Sequence, residues 1–140
     1  MSAKQVPHDI LSAIRKSAKD YWKDDTEMIA HFAETEIEAY LALEQIEFGG
    51  AATIRQEIVD SALETSDSWE ERLSFIENEI AAFEELQDSF DDVPSDLVRK
   101  LKADAARENP KDYSSQRDVV IYGVNGFRNK KKMNARVGPI

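Results

Sequence analysis

Four polar residues with metal-binding chemistry are spaced so that they share one face of a predicted helix. Glu27, His31, Glu34 and Glu38 lie four, three and four residues apart, which aligns them along a helix. A di-iron bundle, however, needs a Glu-x-x-His pair from each of two helices as well as further glutamates. Two later segments that resemble this one carry Ser74 and Asp118 in place of His31. We therefore expect a surface histidine here, with no bound metal and no cofactor.

Nucleophilic catalysis finds little support in the residue types. The chain has no cysteine, and a catalytic Ser or Thr needs a neighbouring base that a third group orients. Neither His8 nor His31 has a recognisable companion motif, and Gly49 with Gly50 lacks the lysine and the spacing of a phosphate-binding loop. The sequence predicts a protein that is not an enzyme.

Charge is distributed unevenly along the chain. The formal net charge is −10, yet residues 110–140 carry +5 and residues 1–109 carry −15. An acidic body repels nucleic acid phosphates and attracts cationic partners. We expect a basic protein partner and no direct nucleic acid binding by the body.

Glutamates of two helices are the candidates for that acidic binding surface. Because charge runs are commonly solvated, a Glu36→Ala substitution is expected to change stability very little. The candidate residues are Glu34, Glu36, Glu38, Glu77, Glu79, Glu84 and Glu85.

A basic tail, residues 128–140, follows the last repeated segment. Either it binds an anionic partner or it folds back on the acidic body, and the sequence slightly favours the second reading. Its cationic residues are Arg128, Lys130, Lys131, Lys132 and Arg136.

Internal similarity determines the predicted architecture. A shift of 43 residues aligns Phe32 with Phe75, Glu36 with Glu79, Ile37 with Ile80, Ala39 with Ala82 and Tyr40 with Phe83; a further shift of 44 reaches Val119, Val124, Gly126 and Phe127. Repeats of this length typically form helical hairpins that bury their faces against one another. We predict an all-α fold of three tandem hairpins within one domain, spanning residues 6–49, 51–91 and 93–131.

Six helices follow from the apolar spacing and the capping residues. Asp25, Ser68 and Asp112 are predicted to cap the second helix of each hairpin, and Ser68 with Glu71 fits a capping box. Trp22 and Trp69 are expected to anchor hairpin ends. The last helix is the weakest prediction, since the β-prone residues 119–122 and two glycines oppose it. The expected ranges are 9–22, 26–47, 52–64, 69–89, 95–107 and 114–130.

Chain length and hydropathy indicate the class of protein. A chain of 140 residues without a long apolar run is typical of a complete, soluble, cytoplasmic protein that does not associate with membranes. We interpret it as a non-enzymatic protein interaction module. The alternatives are an acidic mimic of nucleic acid that inhibits a basic nucleic-acid-binding protein, and a helical bundle that binds a small molecule or metal. The sequence indicates no oligomeric state.

Overall fold

The chain is helical wherever the structure assigns a regular element. The structure is a computed structural model that describes the backbone of residues 6–137 and the side chains of residues 6–135. A 3₁₀ helix, Gly49–Ile54, leads into the third α-helix. The prediction of an all-α fold with about six helices is confirmed. The helices are α1 His8–Trp22, α2 Thr26–Glu44, α3 Arg55–Thr65, α4 Trp69–Glu85, α5 Ser95–Glu108 and α6 Tyr113–Val137.

Two compact units make up the fold, one up to Ile76 and one from Glu77 onward. Within the first unit α1 packs against α2, and within the second α5 packs against α6. These two pairs correspond to the first and third predicted hairpins. That all three hairpins are copies of one repeat stays a prediction.

The apolar residues of each unit are spaced to share a helix face. In the first unit Ile14 and Ala18 of α1 are buried four residues apart, as are Ile58 and Ala62 of α3. Aliphatic and aromatic side chains from α5, α6 and the segment before α5 form one cluster in the second unit. Its buried members are Leu86, Phe90, Val93, Val98, Ala105, Val120 and Val124.

Helix α6 forms although its first half contains strand-prone residues. Val120 and Val124, one turn apart, are completely buried in the cluster with α5, so packing outweighs local propensity. Gly123 lies so close to Leu101 of α5 that an added Cβ would be 2.4 Å from a leucine methyl carbon. The helix continues to Val137 rather than ending near residue 130, because lysine, arginine, asparagine, methionine and alanine tolerate helix and cations suit its C-terminal end.

The predicted N-caps are confirmed at all three second helices. Asp25 accepts from the Met28 amide at 3.1 Å, Ser68 Oγ from the Glu71 amide at 3.3 Å, and Asp112 from the Ser115 amide at 3.1 Å. These bonds satisfy amides that a helix leaves without an internal partner.

The capping box at Ser68 differs from its usual form. The Ser66 hydroxyl donates a hydrogen bond to the Glu71 carboxylate, and the same Oγ accepts one from the Ser68 amide at 3.0 Å. Ser66 therefore relays a contact that the glutamate of a capping box usually makes directly.

None of the described helices has both the length and the apolar character needed to cross a bilayer.

Candidate functional site

Glu36 is a buried carboxylate that caps the start of α4. It lies in the middle of α2 with 4% of its surface exposed. One oxygen accepts from the Trp69 amide at 2.7 Å; the other accepts from the Glu70 amide at 3.1 Å and the Ser68 hydroxyl at 2.8 Å. A carboxylate is stabilised at this place because a helix N-terminus carries unpaired amides and partial positive charge.

Glu79 makes the same kind of contact with the start of α6. It lies in α4 with 1% of its surface exposed, and its carboxylate accepts from the Tyr113 amide at 2.8 Å and the Ser114 amide at 3.0 Å. The Ser114 hydroxyl is its third donor. At two places in the chain, therefore, a buried glutamate from the second helix of one predicted hairpin caps the second helix of the next hairpin.

An aromatic pair accompanies each of these caps. Tyr40 of α2 meets Trp69 edge-on with ring centroids 4.8 Å apart, and Phe83 of α4 meets Tyr113 in the same way at 5.5 Å. Trp69 also lies under the Arg72 guanidinium, 4.4 Å from the ring centroid. Tyr40 and Phe83 are 43 positions apart, and Trp69 and Tyr113 are 44 apart, the same shifts that align the sequence with itself.

Glu36 and Glu79 therefore do not belong to an exposed acidic surface, which corrects two of the predicted site residues. Both lie within the apolar stripe of their helices, as the flanking buried residues Ala39 and Ile76 show. Each is surrounded by amide and hydroxyl donors that would lose their acceptor on truncation. The expectation that Glu36→Ala changes stability very little is revised accordingly.

The other predicted acidic residues are exposed. Glu34 and Glu38 lie one turn apart on α2, and Glu77, Glu84 and Glu85 lie on α4. Glu85 pairs with Arg117 at 3.2 Å, whereas the remaining four form no ion pair among the described residues. Each of the two helices offers carboxylates that remain available to a partner.

The cluster around His31 does not form a metal centre in the described part of the chain. His31, Glu27, Glu34 and Glu38 are exposed along α2, and no group of three possible ligands converges among the described residues. His8 is the first residue of α1.

The basic residues divide between two sides of α6. Arg128 donates two hydrogen bonds to Asp92, at 2.7 and 2.8 Å. These bonds lower the pKa of Asp92, and the charge of Lys131 acts in the same direction. Lys130 and Lys132 are exposed, while the side chain of Arg136 lies outside the described residues. One part of the predicted tail thus contacts the acidic segment before α5.

A pocket of about 320 Å³ lies beside Trp22, at the end of α1. Phe32, His31 and Glu70 contribute to its wall, and the indole nitrogen of Trp22 is buried without a hydrogen-bond partner in the described part of the structure. This is the feature that bears on the small-molecule alternative. Of its polar lining residues, His31, Glu70 and Glu71 are exposed, and Glu36 and Ser68 already bond to each other in the helix cap, so few fixed polar groups remain for a ligand.

No protein-family model matches the chain, and no curated protein or solved structure matches it significantly.

Proposed function

We propose that the protein is a non-enzymatic interaction module whose exposed carboxylates bind a basic protein partner. The observation that carries the proposal is that Glu34, Glu38, Glu77 and Glu84 are exposed and lack ion pairs among the described residues. Three other acidic residues have structural roles: Glu36 and Glu79 cap helices, and Asp92 pairs with Arg128.

Each of the helices α2 and α4 carries its own patch of exposed carboxylates. On α2 the exposed residues Glu27, Glu34 and Glu38 follow one helix face, and on α4 Glu77 and Glu84 do the same. Like charges at such spacing destabilise a helix slightly. Two acidic faces that repel internally are well suited to a cationic surface, which would relieve that repulsion on binding.

The test compares two variants of equal charge. The first replaces the four unpaired carboxylates with glutamine: Glu34, Glu38, Glu77 and Glu84. The second replaces four exposed acidic residues outside these patches with the corresponding amides: Asp24, Glu47, Glu64 and Glu108. Proteins captured from the native host by cross-linking are then compared for wild type and both variants at graded salt.

We expect a basic partner that the wild type and the second variant retain, that the first variant loses, and that is released as salt rises. Equal loss from both variants would show that only overall charge matters and would contradict the proposal. Testing the α2 pair and the α4 pair separately then assigns the contact to one patch.

The nucleic acid mimic remains a second candidate because of the same unpaired carboxylates. It makes a different prediction: duplex DNA should compete with the protein for the captured partner. If DNA does not compete, the protein binds its partner at a surface other than the partner's nucleic acid site.

A further inference from the structure

Helix α6 has a side that is open, although the corresponding side of the earlier helices is covered. Ala39 of α2 and Ala82 of α4 are buried, with 6% and 0% of their surface exposed. By the shifts that align the sequence, Gly126 is their counterpart in α6, and a Cβ built there would meet nothing within 4 Å. A helix-sized neighbour can therefore approach α6 at this position.

Exposed residues around Gly126 form a stripe along α6 with an apolar side chain at each end. Tyr122 and Met133 are 83% and 62% exposed, and Asn129 is exposed between them. With 3.6 residues per turn, these residues and Gly126 fall within an arc of about 60°. The stripe extends over about 17 Å, which is three turns of a helix.

Positive charge borders this stripe on both sides. Lys130 and Lys132 are exposed and lie about 80° to either side of it around the helix. Lys131 is on the opposite side, where its charge acts on Asp92. Lys130 and Lys132 form no ion pair among the described residues and can meet an incoming partner.

We propose that the stripe of α6, Tyr122, Gly126, Asn129 and Met133 with Lys130 and Lys132, binds an acidic amphipathic helix of a partner protein. Apolar residues spaced three and four apart on that helix cover Tyr122 and Met133, and its flanking carboxylates meet the two lysines. The charge pattern argues against other occupants. A second α6 aligned in parallel would bring lysines against lysines, and duplex DNA offers no apolar helix face to cover Tyr122 and Met133.

This surface differs from the acidic patches in place, in charge and in the partner it selects. Binding of an acidic helix to the stripe can therefore be confirmed or refuted independently of the function proposed above.

The test uses a fluorescent helical peptide with leucines at positions i, i+4, i+7 and i+11 and glutamates on its remaining faces. Binding to the full chain is measured by anisotropy, with a scrambled peptide of the same composition as control. We expect the patterned peptide to bind about tenfold more tightly than the scrambled one, since only the former can cover the stripe.

Three variants then locate the contact. Met133→Asp and the pair Lys130→Glu with Lys132→Glu should each weaken peptide binding about tenfold or more. Lys131→Glu, which reverses a charge on the far side of the helix, should change it less than about threefold. Circular dichroism confirms that each variant is folded.

Several results would overturn the proposal: equal binding of the two peptides, equal loss in Lys131→Glu and the double lysine variant, or tighter binding of duplex DNA than of the patterned peptide. Self-association that Met133→Asp abolishes, without any peptide binding, would assign the stripe to a second copy instead.

Discussion

In both glutamate caps a buried carboxylate accepts from two backbone amides, but the residue that donates the hydroxyl hydrogen bond stands at a different position in each. At the start of α4 the third donor is the N-cap residue, Ser68, whereas at the start of α6 the N-cap is Asp112. An ionised aspartate has no proton to donate, and Ser114, two residues later, supplies the hydroxyl. The comparison shows that the three donors around the buried carboxylate recur, while the residue that provides one of them differs.

Truncating either glutamate gives the largest expected effect. Glu79→Ala and Glu36→Ala each leave partly buried amides at a helix start without an acceptor, so each should lower the free energy of unfolding by about 2–3 kcal/mol. Urea denaturation followed by circular dichroism measures the change. Glu77→Ala, an exposed residue of α4, should stay within about 0.5 kcal/mol. If Glu79→Ala behaved like this control, the buried cap would have no energetic role.

Removing the hydroxyls tests the difference between the caps. Ser68→Ala loses the bond to Glu36 and the N-cap bond from the Glu71 amide, whereas Ser114→Ala loses the bond to Glu79 and an exposed bond from the Asn78 side chain but no N-cap bond. We expect losses of about 1–2 kcal/mol for Ser68→Ala and about 1 kcal/mol for Ser114→Ala. The same denaturation assay ranks them, and the reverse order would refute this division of roles.

Alanine substitutions at two glycines of α6 compare its packed and open sides. Gly126→Ala should stabilise the protein by about 1 kcal/mol, because alanine favours helix and the space is open. Gly123→Ala places a methyl group 2.4 Å from Leu101 and should lose this gain through displacement of the leucine. Thermal unfolding distinguishes the two, and equal gains would show that α5 does not hold Leu101 tightly.

The ion pair between Arg128 and Asp92 should give the smallest effect, visible as a pH dependence. Since the hydrogen bonds lower the pKa of Asp92 in the folded state, the pair stabilises the fold above the unfolded pKa and loses this contribution as pH falls through the folded value. Between pH 6 and 3 the melting temperature of Asp92→Asn should fall less steeply than that of wild type. The control Asp24→Asn should follow wild type, and the difference should shrink in 1 M salt.

Much of the helical pattern could be predicted from the sequence, because apolar spacing and capping residues are local signals. Even α6 was correctly assigned, since the alignment with Ile80 and Phe83 indicated a buried helix face where local propensity favoured strand. The predicted end of this helix at residue 130 is wrong, because the last aligned position is Phe127 and the alignment gives no signal for the residues beyond it.

The role of Glu36 and Glu79 could not be distinguished by charge and alignment alone, because exposed neighbours such as Glu34 and Glu77 align equally well. The available signal was position. Glu36 lies four residues after Phe32 and three before Ala39, on the apolar side of its helix, whereas Glu34 lies off that side. A charged residue within an apolar stripe needs buried polar partners. Those partners lie more than 30 residues away, so only the folded chain identifies them.

The glutamate caps also affect how fast individual amide protons exchange with solvent. First-turn amides of a helix usually exchange quickly because they lack internal acceptors, but the amides of Trp69, Glu70, Tyr113 and Ser114 are bonded to buried carboxylates. Their protons can leave only when the glutamate and the helix start separate, an opening that also exposes buried side chains. Thr26 and Glu27 at the start of α2 have no such carboxylate among the described residues, so their protons should exchange much earlier.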